Sequence, residues 1–167
     1  MNATPSRGFT VIEGLVCLSI ASLLTAVAVP ASSALMQRHR AQGQSSQFVA
    51  HFHQARMQSI GNGASLHLRF FEHSTGTGYT LHQGNRDACT LTPQGLPDCT
   101  DGAQLIATEW LPAERGVRLQ ANVARMTLNP GTMTVTPTGS VTVRDSSGTG
   151  HQHTVAITGR IRSEVLR

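Results

Sequence analysis

The chain has 167 residues, of which 39% are hydrophobic, and it carries a formal net charge of +4. This length suits one domain of ordinary size with an appendage and excludes an array of several domains. All 13 basic side chains are arginine. That bias fits either an arginine-favouring genome or a preference for bidentate contacts with phosphate, and composition leaves both readings open.

The first element in chain order is an apolar run over residues 11–29, which contains a single charged residue, Glu13. A helix needs roughly 20 apolar residues to cross the hydrocarbon of a bilayer. The run is longer than the apolar part of a cleaved secretory signal, and no small-residue cleavage site follows it promptly. It therefore predicts a membrane-spanning helix rather than a removed signal.

The stretch RGFTVIEGLVCLSIASLLTAVAVP, residues 7–30, resembles the leader and N-terminal helix of type IV pilins and pseudopilins. In that family a prepilin peptidase cleaves after Gly, the new N-terminal residue is usually a methylated Phe, and the fifth mature residue is Glu. The resemblance implies a leader over residues 1–8, cleavage between Gly8 and Phe9, and Glu13 as the fifth mature residue.

The carboxylate of Glu13 needs a partner, because an acidic side chain at the bilayer centre costs about 2.5 to 3.5 kcal/mol. One hypothesis is that Glu13 neutralises the terminal ammonium of Phe9 in a neighbouring subunit and so sets axial register in a filament. The alternative is a tolerated glutamate that snorkels to the headgroups. Pro30 predicts a kink or break at the end of this transmembrane and filament-core helix, which covers residues 9–30.

Residues 31–61 predict an amphipathic second half of the helix, because apolar residues recur there at intervals near three and four. Gly61, Asn62 and Gly63 predict its end. The apolar residues of this half are Leu35, Phe48, Val49, Phe52, Ala55, Met57 and Ile60.

From residue 64 the apolar period shortens toward two, and Gly, Pro, Asn and Asp separate segments rich in Thr, Val, Leu and Ile. About seven or eight antiparallel strands are expected over residues 64–167, with a hairpin loop at SSGTG, residues 146–150. The predicted fold class is α+β and pilin-like: a long N-terminal helix packed on a C-terminal antiparallel sheet or sandwich. The strand segments are SLHLRFF, GYTLHQG, LIATEWL, GVRLQ, RMTLNP, GTMTVTPTGSVTVRD and HTVAITGRIR.

The cysteines fall into two groups. Cys17 lies in the apolar helix, where a buried free thiol behaves as a small hydrophobic group. Cys89 and Cys99 flank TLTPQGLPD. Because a translocated domain faces an oxidising compartment, a disulfide between them is expected. A metal site is the alternative, and it lacks a second suitably spaced cysteine pair.

No enzyme chemistry is visible in the sequence. It contains no phosphate-cradling Gly loop, no GxSxG and no HExxH, and the acids after the helix are scattered singly. His51 with His53 and His151 with His153 are spaced as partial metal sites, but no carboxylate or cysteine completes them. We therefore predict solvated histidines, no metal, no cofactor and no enzymatic activity.

The end of the chain, TVTPTGSVTVRDSSGTGHQHTVAITGRIRSEVLR, together with HFHQARMQSIG and TEWLPAERGV, resembles the GspH/FimT family of minor pilins and pseudopilins. In FimT-type minor pilins of naturally transformable bacteria, a C-terminal Gly-Arg-x-Arg motif binds DNA. The resemblance places that motif at Gly159, Arg160, Ile161 and Arg162. The Gly-Trp that usually follows the Glu-Trp element is absent, since Gly116 precedes Val117 here.

The residues of the motif also suit phosphate binding in their own right. Arg160 and Arg162 are two residues apart, so on an extended segment they share a face about 6.5 to 7 Å apart, comparable to phosphate spacing along a DNA strand. Gly159 allows close backbone approach, and Arg167 adds charge that Glu164 partly offsets. Further arginines extend the patch if their loops lie on the same side: Arg115, Arg118, Arg125 and Arg144.

The predicted function is that of a minor type IV pilin that binds extracellular double-stranded DNA without sequence preference for uptake in natural transformation. If His151 or His153 lies beside the patch, lower pH should strengthen binding. The alternative is a structural minor pilin or a type II secretion pseudopilin that primes filament assembly, with the arginines serving as charge on an edge strand.

The resemblance also implies partners and location. Prepilin peptidase processes the precursor in the inner membrane, where a single-pass protein holds its C-terminal domain in the periplasm. The subunit then joins other minor and major pilins in an extracellular type IV pilus.

Overall fold

The structure is a computed structural model that describes residues 10–100 and 102–167, apart from the side chains of residues 27–34. The predicted leader and cleavage site, residues 1–8 with Phe9, lie outside the described residues. The chain divides into two compact units, Met1–Met36 and Gln37–Arg167.

The N-terminal element is a helix, α1, over Val11–Asn62. Thr10 precedes it, and the backbone N–H of Glu13 donates to Thr10 Oγ1 at 3.3 Å, which satisfies one free N–H of the first turn. The helix continues through Pro30, so the break considered there is wrong. In the parts of the chain that the structure describes, no helix has a stretch both long and apolar enough to cross a membrane.

Within the residues that the structure describes, eleven strands follow α1, all paired antiparallel. They form a five-stranded sheet in the order β5-β2-β1-β7-β8, a four-stranded sheet in the order β11-β10-β9-β6, and the two-stranded ribbon β3-β4. The predicted α+β class with antiparallel sheets is thereby confirmed. The strands are β1 Leu66–His73, β2 Gly76–Gln83, β3 Cys89–Leu91, β4 Pro97–Cys99, β5 Gln104–Pro112, β6 Val117–Ala121, β7 Arg125–Asn129, β8 Thr134–Thr136, β9 Gly139–Asp145, β10 Gly150–Val155 and β11 Ile161–Leu166.

The core of the second unit lies where α1 meets both sheets. The ring centroid of Phe48 is 6.3 Å from that of Phe70, 5.7 Å from Tyr79 and 5.8 Å from His153. Burying one such aromatic side chain contributes roughly 1.5 to 3 kcal/mol. Phe52 joins the same core, which confirms this part of the predicted helix face.

The apolar face of α1 is narrower than the sequence pattern indicates. Met57 is 71% exposed and Ile60 is 38% exposed, so their predicted burial is wrong. The buried positions between 41 and 59 recur at intervals of three and four, and small polar side chains occupy two of them. These positions are Ala41, Ser45, Phe48, Phe52, Ala55 and Ser59.

Two of the predicted strand segments are divided in the structure. Pro137 separates β8 from β9 within GTMTVTPTGSVTVRD, since proline lacks the N–H that a central ladder position needs. The segment HTVAITGRIR is the end of β10, a turn and the start of β11, so its prediction as one strand is wrong. The hairpin loop predicted at SSGTG connects β9 and β10.

The predicted disulfide between Cys89 and Cys99 is confirmed. These residues are directly opposite in the β3-β4 ribbon. Arg69 anchors the same loop to β1, because its Nη1 donates to the carbonyl oxygens of Asp87 at 2.9 Å and Cys89 at 3.0 Å. Cys17 has a free thiol, which is exposed in the isolated chain.

Candidate nucleic-acid interface

The Gly-Arg-x-Arg residues lie in the hairpin that joins β10 to β11. The N–H of Gly159 donates to the Ala156 carbonyl at 2.8 Å, and the N–H of Ala156 donates to the Arg160 carbonyl at 2.9 Å. Gly159 has φ +71°, the left-handed conformation that the third residue of such a three-residue turn requires. A glycine at this position is therefore dictated by the turn itself.

Arg160 and Arg162 are both exposed at this end of the hairpin. Arg162 lies in β11 opposite Thr154, and the Ala156–Arg160 backbone bond extends the β10-β11 ladder by one pair. Residues two apart in a strand project to the same side, so the two guanidinium groups share one side of the hairpin. β11 is an edge strand of the four-stranded sheet, with β10 on one side only.

The charge of this site is partly offset by a neighbouring acid. Arg162 Nε lies 3.1 Å from Glu164 Oε1, and these side chains are 80% and 58% exposed. An ion pair this exposed contributes about 0 to 1 kcal/mol, so an incoming phosphate can compete with it. Within the described part of the chain, neither Arg160 nor Arg167 forms an ion pair, and both are exposed.

The turn rests on a side chain of α1. Arg56 Nη1 is 3.5 Å from the Gly159 carbonyl oxygen, a long hydrogen bond. Arg56 Nε is buried and has no hydrogen-bond partner among the described residues. A Cβ added to Gly159 would stand 3.0 Å from Arg56 Nε. Arg56 therefore packs under the turn that carries Arg160.

The histidines of β10 lie on the opposite side of the sheet from Arg162. His153 is 2% exposed; its ring nitrogens are 2.7 Å from Ser45 Oγ and 2.8 Å from Ser163 Oγ. Burial, with a smaller contribution from His151, lowers the pKa of His153 below its ordinary value of 6.5. The prediction of solvated histidines is therefore wrong for His153.

The other predicted histidine pair is divided between the core and solvent. His51 Nδ1 lies 2.8 Å from Tyr79 Oη at the margin of the core, whereas His53 is exposed. Among the residues that the structure describes, no group of His, Cys, Asp and Glu side chains could hold a metal ion.

Of the four arginines whose placement relative to the patch the sequence left open, two lie on the same sheet face as Arg162. Arg118 and Arg144 are exposed on the same face of the four-stranded sheet as Arg162. Arg125 lies on the five-stranded sheet, where its Nη1 is 2.6 Å from Asp87 Oδ1. That hydrogen bond is the main reason why the pKa of Asp87 lies below its usual value. Arg115 belongs to a short 3-10 helix, Ala113–Arg115.

The sequence indicates the outward direction of Arg118 and Arg144 but not their pairing. In VRLQ and TVRD each arginine follows a buried valine, which predicts an outward side chain. The register that sets Arg118 opposite Arg144 comes from the pairing of β6 with β9, and no local pattern encodes it. Arg56 belongs to a segment that contributes to the family resemblance, but its contact with the turn is a product of tertiary packing.

Comparisons with known proteins add no assignment to this geometry: no protein-family model, curated protein or solved structure matches the chain.

Proposed function

We propose that this protein is a minor type IV pilin that binds double-stranded DNA through Arg160 and Arg162, with Gly159 shaping the turn and Arg167 adding charge. One observation carries the proposal: two exposed arginines lie two residues apart at one end of an edge hairpin, which corresponds to a backbone separation of about 6.5 to 7 Å, comparable to phosphate spacing. Guanidinium groups bind phosphate oxygens in a bidentate manner. The binding surface is thus suited to a nucleic-acid backbone.

The expected binding is weak and without sequence preference. Contacts to phosphate position a protein on DNA but carry no sequence information. With roughly two to four phosphate contacts, affinity should be micromolar or weaker, and log K should fall with log salt at a slope near 0.9 per contact. Several subunits along one filament would raise the overall affinity through avidity.

The N-terminal unit supports the filament part of the proposal. Its helix carries large exposed apolar side chains, including Val11 at 83%, Leu18 at 69% and Leu23 at 70% exposure. Such a surface calls for apolar surroundings, which the inner membrane before assembly and the packed helices of a pilus would supply. In this proposal prepilin peptidase cleaves between Gly8 and Phe9, and Glu13 pairs with the new terminus of a neighbouring pilin.

One observation favours a second candidate, a structural minor pilin or type II secretion pseudopilin without DNA binding. Glu164 already pairs with Arg162 on the edge strand. Charged side chains on an edge strand hinder unwanted pairing with other strands. In that case the arginines would keep β11 from adding to another sheet.

A DNA titration distinguishes the two candidates. The full chain is titrated with a short duplex across a salt series, beside the double variant Arg160→Ala/Arg162→Ala. The matched control is Arg86→Ala/Arg115→Ala, which removes two exposed arginines outside this hairpin. Salt-dependent binding that only the first variant loses would support the DNA-binding pilin. If the folded wild-type chain does not bind at low salt, even when presented multivalently, the structural candidate stands.

A further inference from the structure

Two arginines stand directly opposite each other on the outward face of the four-stranded sheet. Arg118 of β6 is the register partner of Arg144 of β9. Both side chains are exposed, and within the described residues neither forms an ion pair.

This pairing is unfavourable in the isolated protein. Residues directly opposite on antiparallel strands have Cβ atoms about 4.5 to 5.5 Å apart, and like charges at such positions are destabilising. An oxyanion between the two side chains would reverse the sign of the interaction, because each guanidinium fork can donate hydrogen bonds to it. The pair is therefore better suited to an anion-bound state than to a free one.

The surface beside the pair is open to a ligand. On β10 the residue opposite Arg144 is Gly150, which has no side chain to cover the strand. Thr142 and Gln152 occupy the next row of the same face, and they offer hydrogen-bond donors between Arg144 and the position of Arg162.

Two acidic side chains lie near this path in the described part of the chain, and each already has a partner. At the β11 edge of the face, Glu164 is the register partner of Gln152 and pairs with Arg162. At the β6 edge of this face, Glu72 accepts a hydrogen bond from Gln120 Nε2 at 3.3 Å. Arg118 and Arg144 form the row next to that of Gln120 and Thr142. Their row lies at the end of the sheet where β10 starts with Gly150.

We infer that Arg118 and Arg144 form a second phosphate clamp, and that a nucleic-acid backbone crosses this face between the clamp and Arg162. The inference rests on the proposed function and adds the path of the bound DNA. Arg162 of β11 is the register partner of Thr154 on β10, and Thr154 is the partner of Ser140 on β9. Ser140 lies four residues before Arg144 on the same strand. Four residues along the strand and two strand spacings across the sheet therefore separate Arg162 from Arg144 by roughly 16 Å, a distance that phosphates a few nucleotides apart can span.

The test uses the full chain with the double variant Arg118→Gln/Arg144→Gln and a short duplex across a salt series. Loss of two phosphate contacts should lower the salt slope by about 1.8 and weaken binding at low salt roughly tenfold or more. The control Arg38→Gln/Arg86→Gln removes the same charge from α1 and from the loop after β2, and it should leave most of the slope in place.

Each pattern of results decides between the two proposals. If the Arg118/Arg144 variant matches the control while Arg160→Ala/Arg162→Ala loses binding, the clamp is wrong and the proposed function stands. If the wild-type chain binds no DNA, inorganic pyrophosphate is the second probe. A rise in wild-type Tm with pyrophosphate that the Arg118→Gln/Arg144→Gln variant lacks would support the clamp alone, and equal responses would overturn it.

Discussion

The guanidinium group of Arg56 lies against the backbone of Gly159, with Nη1 3.5 Å from the glycine carbonyl oxygen. This contact connects helix α1 to the turn that precedes Arg160. The same three-residue turn is also found between β9 and β10, where Gly148 has φ +87° and the N–H of Asp145 donates to the Thr149 carbonyl. At Gly148, an added Cβ would meet nothing within 4 Å.

The two turns allow a matched test of the Arg56 contact. We expect Gly148→Ala to destabilise the protein by about 1 to 2 kcal/mol, the cost of left-handed backbone for a residue with a Cβ. Gly159→Ala should cost more, because its Cβ would also stand 3.0 Å from Arg56 Nε. Urea denaturation measures both changes in unfolding free energy.

A double-mutant cycle provides the control for that prediction. In an Arg56→Ala background, Gly159→Ala should cost about the same as Gly148→Ala, because the crowding atom is gone. Equal costs of the two glycine substitutions in the wild-type background would contradict a close Arg56 contact.

The disulfide should contribute substantially to stability. The Cys89–Cys99 bond closes a loop of about eleven residues, which corresponds to roughly 3 kcal/mol in the chain-entropy description. We expect Cys89→Ser/Cys99→Ser to lower the unfolding free energy by about that amount. Adding a reductant to the wild-type chain should reproduce the loss and leave the variant unchanged. A variant as stable as the oxidised wild-type chain would show that Arg69 alone holds the loop.

The sequence predicts those features of the fold that depend on local pattern. Alternation in the strand segments, the glycine stops and the spacing of Phe48 and Phe52 follow from side-chain periodicity, which the folded backbone preserves. The turn at residues 156–160 was missed because ITG continues an apolar and Thr-rich segment. The backbone hydrogen bonds between Ala156 and Gly159 and between Ala156 and Arg160 show the reversal, together with the antiparallel pairing of β10 with β11.

The parts of the candidate site that could not be predicted depend on partners distant in the sequence. His153 has the polar, alternating surroundings of an exposed residue, yet it is buried because Ser45, 108 positions earlier, satisfies its ring nitrogen. Likewise, strand register alone sets Arg118 opposite Arg144. Single-sequence patterns contain no signal for either pairing.

Removing one member of the opposed arginine pair should stabilise the protein. We expect Arg118→Gln or Arg144→Gln to raise the unfolding free energy by roughly 0.2 to 1 kcal/mol at low salt, since like charges opposite each other are unfavourable. The gain should shrink as salt screens the repulsion. The second substitution should add less than the first, which a double-mutant cycle in thermal or urea unfolding would detect. Fully additive gains would indicate that the two side chains point apart.

DNA affinity should change little between pH 8 and pH 6. The earlier expectation of tighter binding at lower pH required His151 or His153 to lie beside the arginines, and His153 instead lies on the buried face of the sheet. Titrations of the same duplex at constant ionic strength across this pH range measure the effect. A strong increase in affinity at pH 6 would place a titrating histidine next to the bound DNA.

Protein stability, in contrast, should fall on acidification. Burial lowers the pKa of His67, His82 and His153 in the folded protein below the ordinary value of 6.5. Below pH 6.5 the unfolded chain therefore binds more protons than the folded chain, so the unfolding free energy decreases as pH falls from there toward the folded-state pKa values. Above pH 6.5 this contribution to stability is present in full.

His153→Gln tests the contribution of one of these groups. Glutamine does not titrate but can still bond to Ser45, so the variant should lose less stability than the wild-type chain between pH 6.5 and pH 5. The control His53→Gln changes an exposed histidine of α1 and should keep the wild-type dependence. Urea denaturation at a series of pH values gives the slopes. An unchanged slope for His153→Gln would mean that the His153 ring gains its proton equally well in the folded and unfolded states.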